Sequence, residues 1–187
     1  METRRVALAL TVSAMMGLAG PRVADGQVRC GVARWPVKTL TDRDSQRVDM
    51  LAVDATISML GQLPTPNGYP NDQRIAPHEL HVYRVHAIVQ QILTESDGDW
   101  HVVLRDPDNA GATMIAEIPS PECSGNETQR ALYMAARMAL RTIPRYGMVI
   151  VEGVGFFDIA HNQRGRAPNA FELHPVQLLR ADTSPAR

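Results

Sequence analysis

The stretch Gly155–Val176 (GFFDIAHNQRGRAPNAFELHPV) gathers side chains able to do chemistry: Asp158, His161, Asn169, Glu172 and His174. Glu172 and His174 are two apart, so on a strand both leave the same face. A carboxylate beside an imidazole raises the imidazole pKa or fixes its tautomer, as in acid–base pairs and around metal ligands. Glu172 and His174 are therefore the candidate catalytic residues, and Asp158, His161 and Asn169 the candidate binding residues. If the loop carrying His161 folds back, His161 and His174 become metal ligands. With Glu172 they would form an open two-histidine, one-carboxylate site for a divalent transition metal, the equipment of a hydrolase.

A second reading makes the same pair structural. A buried Glu172 and His174 can hydrogen-bond loop backbone and clamp the Ala160–Asn169 excursion. The motifs H-E-x-x-H, C-x-x-C, G-x-S-x-G and the phosphate loop do not occur. His81 and His86 differ in strand parity and do not make a pair. His101 has the opposite parity to Trp100, Val102 and Leu104, and faces outward if those three are core.

These residues need elements to position them. Leu80–Leu93 is rich in β-branched residues and predicts a long strand, Asp97-Gly98 a turn, and Trp100–Arg105 the second strand of a hairpin. Thr113–Ile118 predicts a third strand. Ser124-x-x-Glu127 and Asn126-x-x-Gln129 are overlapping capping patterns. After them Leu132, Ala135, Ala136, Ala139, Leu140 and Ile143 recur at helical spacing, while Arg130, Arg137 and Arg141 read as a solvated face. Met148–Val154 predicts a buried strand with a bulge at Gly153 and Gly155, and Phe171–Leu179 the last strand, interrupted by Pro175.

The order β-β-β-α-β-β, in a mainly β chain with one helix, is that of a small five-stranded OB-like barrel. It would occupy residues 79–180, with a frayed tail at 181–187. Residues 27–78 form an irregular extension, within which Asp42–Leu60 is ambiguous between short helix and irregular structure, and the proline-rich stretch Leu63–Pro77 is a loop.

Residues 1–26 carry Arg4 and Arg5, an apolar run from Val6 to Ala19 and small residues at the exit, the pattern of a secretory signal. The run is too short to span a bilayer, so no membrane span is expected in the mature chain and the location is secreted or periplasmic. Cleavage after Gly26 removes three of the 19 basic and two of the 20 acidic residues, leaving 16 against 18 and a net charge of −2. That surface gives no general pull toward nucleic acid. The outer face of the second and third strands, the usual binding face of such barrels, would show His101, Val103, Arg105, Thr113, Ile115 and Glu117. It lacks the aromatic platforms that single strands require. The only two cysteines, Cys30 and Cys123, are expected to pair in an oxidising compartment, with two buried thiols as the alternative.

Cys30-Gly31 with Trp35-Pro36-Val37-Lys38-Thr39, Pro119-Ser120-Pro121 with Cys123, and the Phe156–Val176 segment resemble a set of uncharacterised secreted bacterial proteins. Their endings are similar to GFFD…H…APN…ELHPV. The resemblance implies export and the Cys30–Cys123 bridge. The expected function is an exported domain that binds a small ligand, a glycan or a protein. The alternative is a metal-dependent phosphodiesterase or nuclease using His161, Glu172 and His174. Secreted nucleases of the staphylococcal type share the element order, but Arg105, Asp106 and Asp108 are the nearest imitation of their acidic ligands and arginines, and Asp106-Pro107-Asp108 reads as a turn.

Overall fold

A computed structural model describes residue 30 and residues 33–184. The secretory signal expected in residues 1–26 lies outside the described residues, as do residues 185–187 of the tail. The elements are α1 (Trp35–Lys38), β1 (Asp49–Asp54), α2 (Ile57–Leu60), β2 (His81–Thr94), β3 (Trp100–Arg105), β4 (Thr113–Ile118), α3 (Glu127–Thr142), β5 (Met148–Phe157) and β6 (Phe171–Ala181).

Strands β2 to β6 close into a barrel in the order β2-β3-β4-β6-β5, with β5 returning to β2. All its pairings are antiparallel except β4 with β6. This is the expected OB-like barrel. Its closure depends on the length of β2, whose first half pairs with β5 through Val82–Ile88 and whose second half pairs with β3 through Ile88–Thr94.

The pleat sorts the side chains. Tyr83, Val85, Ala87 and Val89 of β2 meet Val102 and Leu104, Met114, Ala116 and Ile118, and Phe157, Phe171 and Leu173 inside the barrel. Helix α3 packs on this core through Tyr133, Ala136 and Leu140, and Asn126 caps it by accepting from the Gln129 amide at 2.9 Å. Tyr133 takes the inward place that sequence periodicity assigns to Ala135, which is exposed. Arg137 does not lie on a solvated face. It donates to the carbonyls of Gly98 at 2.6 Å and Ile118 at 2.9 Å and stacks on Trp100, tying the helix to the barrel end. The bulge expected at Gly153 and Gly155 is present as two register shifts against β6.

The extension before the barrel is more ordered than expected. Asp42–Leu60 holds a 3₁₀ turn, strand β1 and helix α2. Strand β1 runs parallel to the start of β2, and Ala52 packs over a small outer cluster of Val48, Val82 and Val154. The segment from Ala33 to Val48 crosses the outside of the barrel and is pinned by two fully buried ion pairs, Arg34 with Glu79 and Arg74 with Asp42. Cys30 and Cys123 form the expected disulfide.

Candidate functional site

By parity, the outer face of β3, β4 and the start of β6 carries His101, Val103, Ile115, Glu117, Glu172 and His174. The register sets His101 opposite Glu117, and Ile115 beside Glu172. His101 does leave the outer side of the sheet, yet all six residues are buried. A roof covers them. One half is the Ala33–Val48 segment, and the other is the loop between β5 and β6. The loop comes so close at Gly165 (φ +81°) that an added Cβ would collide with Val103. The backbone carbonyl of Arg164 in the same loop sits 3.0 Å from His101 Nε2. A carbonyl can only accept, so Nε2 carries a proton.

Beneath the roof lies a row of polar side chains that crosses three strands. Glu117 stands between the rings, 3.3 Å from His101 Nδ1 and 3.2 Å from His174 Nδ1. The other ring nitrogen of His174 is 3.7 Å from Asp99 Oδ2. Asp99 sits at the entry to β3 and is fixed by the Ser120 amide, which donates to Oδ1 at 2.8 Å. Lys38, the chain's only lysine, reaches in from the roof and lies 4.0 Å from Asp158. Phe156 closes one side, its ring against His174 and beneath the cationic groups of Arg34 and Lys38.

The electrostatics follow from burial. Burial drives His174 down to about 3, so the ring is neutral at ordinary pH. Burial also lifts Asp99 to about 7, reinforced by Asp97. Glu172 is pushed well above the usual carboxylate range, first by burial and then by the charges of Glu117 and Asp158. Burial would also raise Glu117, but the His101 ring 3.3 Å away and the neighbouring charges outweigh that and hold it low. Lys38 moves the other way: burial opposes its charge, and the surrounding carboxylates overcome burial and keep it protonated.

The sequence-derived candidates are thus partly brought together. Glu172 and His174 share one face as expected. Asp158 joins them through Lys38. Asn169 is structural, donating to the carbonyls of Leu60 and Leu63 and accepting from the Phe171 amide. His161 lies on the exposed part of the loop, 2.7 Å from the Ile159 carbonyl and 3.5 Å from Asp158. Among the described residues, the donors that converge on His174 belong to Asp99 and Glu117, not to His161 and Glu172. A hydrolytic centre must admit substrate, and Glu172 and His174 have no exposed surface. A shallow groove of about 270 Å³ opens elsewhere, lined by Trp100, Met134, Arg137, Met138 and Arg141.

Asp106 is part of a structural joint. It accepts from the Ser58 amide at 2.9 Å, the Ser58 hydroxyl at 2.7 Å and the Asp108 amide at 3.0 Å, joining the β3–β4 turn to α2. Burial would raise its pKa, but these donors prevail and hold it below 3.8. Such bonds contribute about 2 kcal/mol. A depressed carboxylate stabilises the fold above its unfolded pKa, and this is lost as pH falls through the folded value. Asp106→Ala should therefore lower stability by about 2 kcal/mol at pH 7, with the gap to wild type closing below about pH 4. Urea melts across pH check both statements.

No protein-family model matches the chain, and no curated protein matches it. Its class is defined by its own geometry: an OB-like barrel whose outer sheet face is sealed by residues 33–48 and the β5–β6 loop over a carboxylate–histidine cluster.

Proposed function

We propose that the chain is a non-enzymatic exported binding domain whose ligand is an extended protein segment, added as a strand to the free edge of β1. One observation carries this reading. Strand β1 exposes Met50 (54%), Leu51 (77%) and Val53 (47%) on a sheet edge that no other strand pairs among the described residues. Unpaired edge backbone beside apolar side chains is the arrangement that strand addition uses. The roof supports the reading by elimination, because the barrel's usual binding face is occupied by the chain itself. Export is supported by the disulfide and by the N-terminal pattern. No helix among the described residues is long and apolar enough to cross a membrane.

Charge selects the partner's chemistry. Asp49 and Asp54 bracket the apolar residues and are both exposed; Asp49 Oδ1 accepts from the Leu51 amide at 3.0 Å and Asp54 Oδ1 from Arg84 at 3.1 Å, which leaves the second oxygen of each for a partner. A second copy pairing antiparallel in centred register would set these acids against each other, whereas a segment with lysine or arginine at each end would complement them.

The test uses a synthetic peptide of alternating valine and threonine flanked by lysines, and a second with glutamates in their place, measured by fluorescence anisotropy. The lysine peptide is expected to bind at least tenfold more tightly, and Leu51→Lys should weaken it by a similar factor. Leu51 is exposed, so that variant keeps stability within about 0.5 kcal/mol. Equal binding of both peptides, or an unaffected Leu51→Lys variant, would reject the reading. So would a stable dimer that Leu51→Lys dissolves.

A further inference from the structure

The roofed cluster is built like a metal centre. One oxygen each of Asp99 and Glu117 and one nitrogen of His174 lie within 4.8 Å of one another, on three residues that are all buried. His174 presents Nδ1 to Glu117 Oε2 at 3.2 Å and Nε2 to Asp99 Oδ2 at 3.7 Å, so an ion would take one of these nitrogens, and the side chains must shift slightly to bring all three donors to the spacing of about 3.4 Å expected of ligands on a tetrahedral ion with bonds near 2.1 Å. These contacts do not serve as hydrogen bonds: both ring nitrogens of His174 and Oδ2 of Asp99 are fully buried without a hydrogen-bond partner. Both oxygens of Glu172, two residues along the same face, are also unpartnered.

The charge count agrees with this. Fully ionised, Asp99, Glu117, Asp158 and Glu172 would outnumber Lys38 and the two imidazoles; in the metal-free cluster protonation of Glu172 and Asp99 relieves that excess, and a divalent cation would relieve it in their place. The nearby arginines are already engaged, Arg34 by Glu79 and Arg74 by Asp42. Asp97 and Glu95 at the rim add further negative charge. Uncompensated buried charge is expensive.

We infer that Asp99, Glu117 and His174 bind one divalent transition-metal ion, zinc by the nitrogen-and-oxygen donor set, which clasps β3, β4 and β6 together beneath the roof. The ion is structural, since no exposed surface leads a substrate to it. Glu172 and Lys38 lie around it and set its charge balance. This inference is independent of strand addition at β1, which lies outside the cluster.

The experiment starts from the mature protein, disulfide intact, stripped with a chelator and titrated with zinc and separately with cobalt(II). The expected result is one ion per chain by elemental analysis, a rise in melting temperature with zinc, and cobalt absorption bands of a low-coordinate site. Asp99→Asn, Glu117→Gln and His174→Ala should each weaken zinc binding by at least a hundredfold, while His161→Ala keeps it. Some of these variants could fail to fold, so the wild-type chain alone also decides. No zinc-dependent rise in melting temperature together with no cobalt bands overturns the inference, as does metal that survives His174→Ala or is lost in His161→Ala.

Discussion

Replacing Glu79 with alanine should destabilise the protein by about 3–5 kcal/mol, the cost of breaking a buried ion pair from one side. Glu79 is fully buried and uses both oxygens twice. Arg34 Nη1 and Nη2 donate to it at 2.8 Å each, the Phe157 amide at 2.7 Å and the Ile75 amide at 2.6 Å. Removing the carboxylate strands a guanidinium that keeps only the carbonyls of Phe157, Pro70 and Gln73 and the face of Phe156. It also orphans two backbone donors in the interior. The measurement is urea denaturation, with a lower midpoint at constant slope. A shift worth under 1 kcal/mol would show that the strap is not held by this pair. Arg34→Met combined with Glu79→Leu should recover part of the loss, because the double change leaves no unpaired charge, while the Phe157 and Ile75 amides stay without their acceptor.

The same variant should loosen the roof before the barrel. Arg34 lies at the start of the covering segment, four residues before Lys38, so its release acts directly on the cluster. Amide hydrogen exchange is expected to rise first at His101–Val103 and Ile115–Glu117, while Val85–Val89 inside the barrel stays protected. If all these amides accelerate together, roof and barrel are one cooperative unit.

Much of the barrel was legible because its physics is local. Alternation within Leu80–Leu93, Trp100–Arg105 and Thr113–Ile118 reflects one buried face, and the glycines at 153 and 155 marked the bulge. The shared face of Glu172 and His174 followed from strand parity alone. Strand β1 was hidden because Asp-Met-Leu-Ala-Val-Asp exposes its apolar residues and so carries no burial pattern to read. Asp99 and Glu117 were missed as partners of His174 because only sheet register brings together residues 18, 57 and 75 positions apart. His101 and Glu117 had been placed on the same outer face. What the pattern could not supply was the roof, since a covering segment whose only regular pieces are a four-residue helix and a 3₁₀ turn is too short in each to show a periodicity. His161 was drawn into the site by nearness in sequence, but its loop turns it outward.

Removing the disulfide, as Cys30→Ala with Cys123→Ala, is expected to lower stability by about 4–5 kcal/mol, because the bridge closes a 93-residue separation and restricts the unfolded chain. For a chain of this size that corresponds to a drop in melting temperature of roughly 10–20 °C. Both alanines remove the thiols, so the result cannot come from re-pairing. The folded roof should change little. Cys123 ends a 3₁₀ turn just after β4, and the covering segment beyond Cys30 is held separately by Arg34 on Glu79 and by Arg74 on Asp42 and the Val37 carbonyl. The two roles of a bridge therefore separate experimentally. If it acts mainly on the unfolded chain, the denaturation midpoint falls while native hydrogen exchange at His101 and Glu117 keeps its order relative to the core. If it is instead the latch of the roof, those amides become the fastest in the sheet at modest loss of global stability. The ion-pair geometry favours the first outcome, because Arg34, donating to both oxygens of Glu79 and to the Pro70, Phe157 and Gln73 carbonyls, holds the segment independently of the bridge.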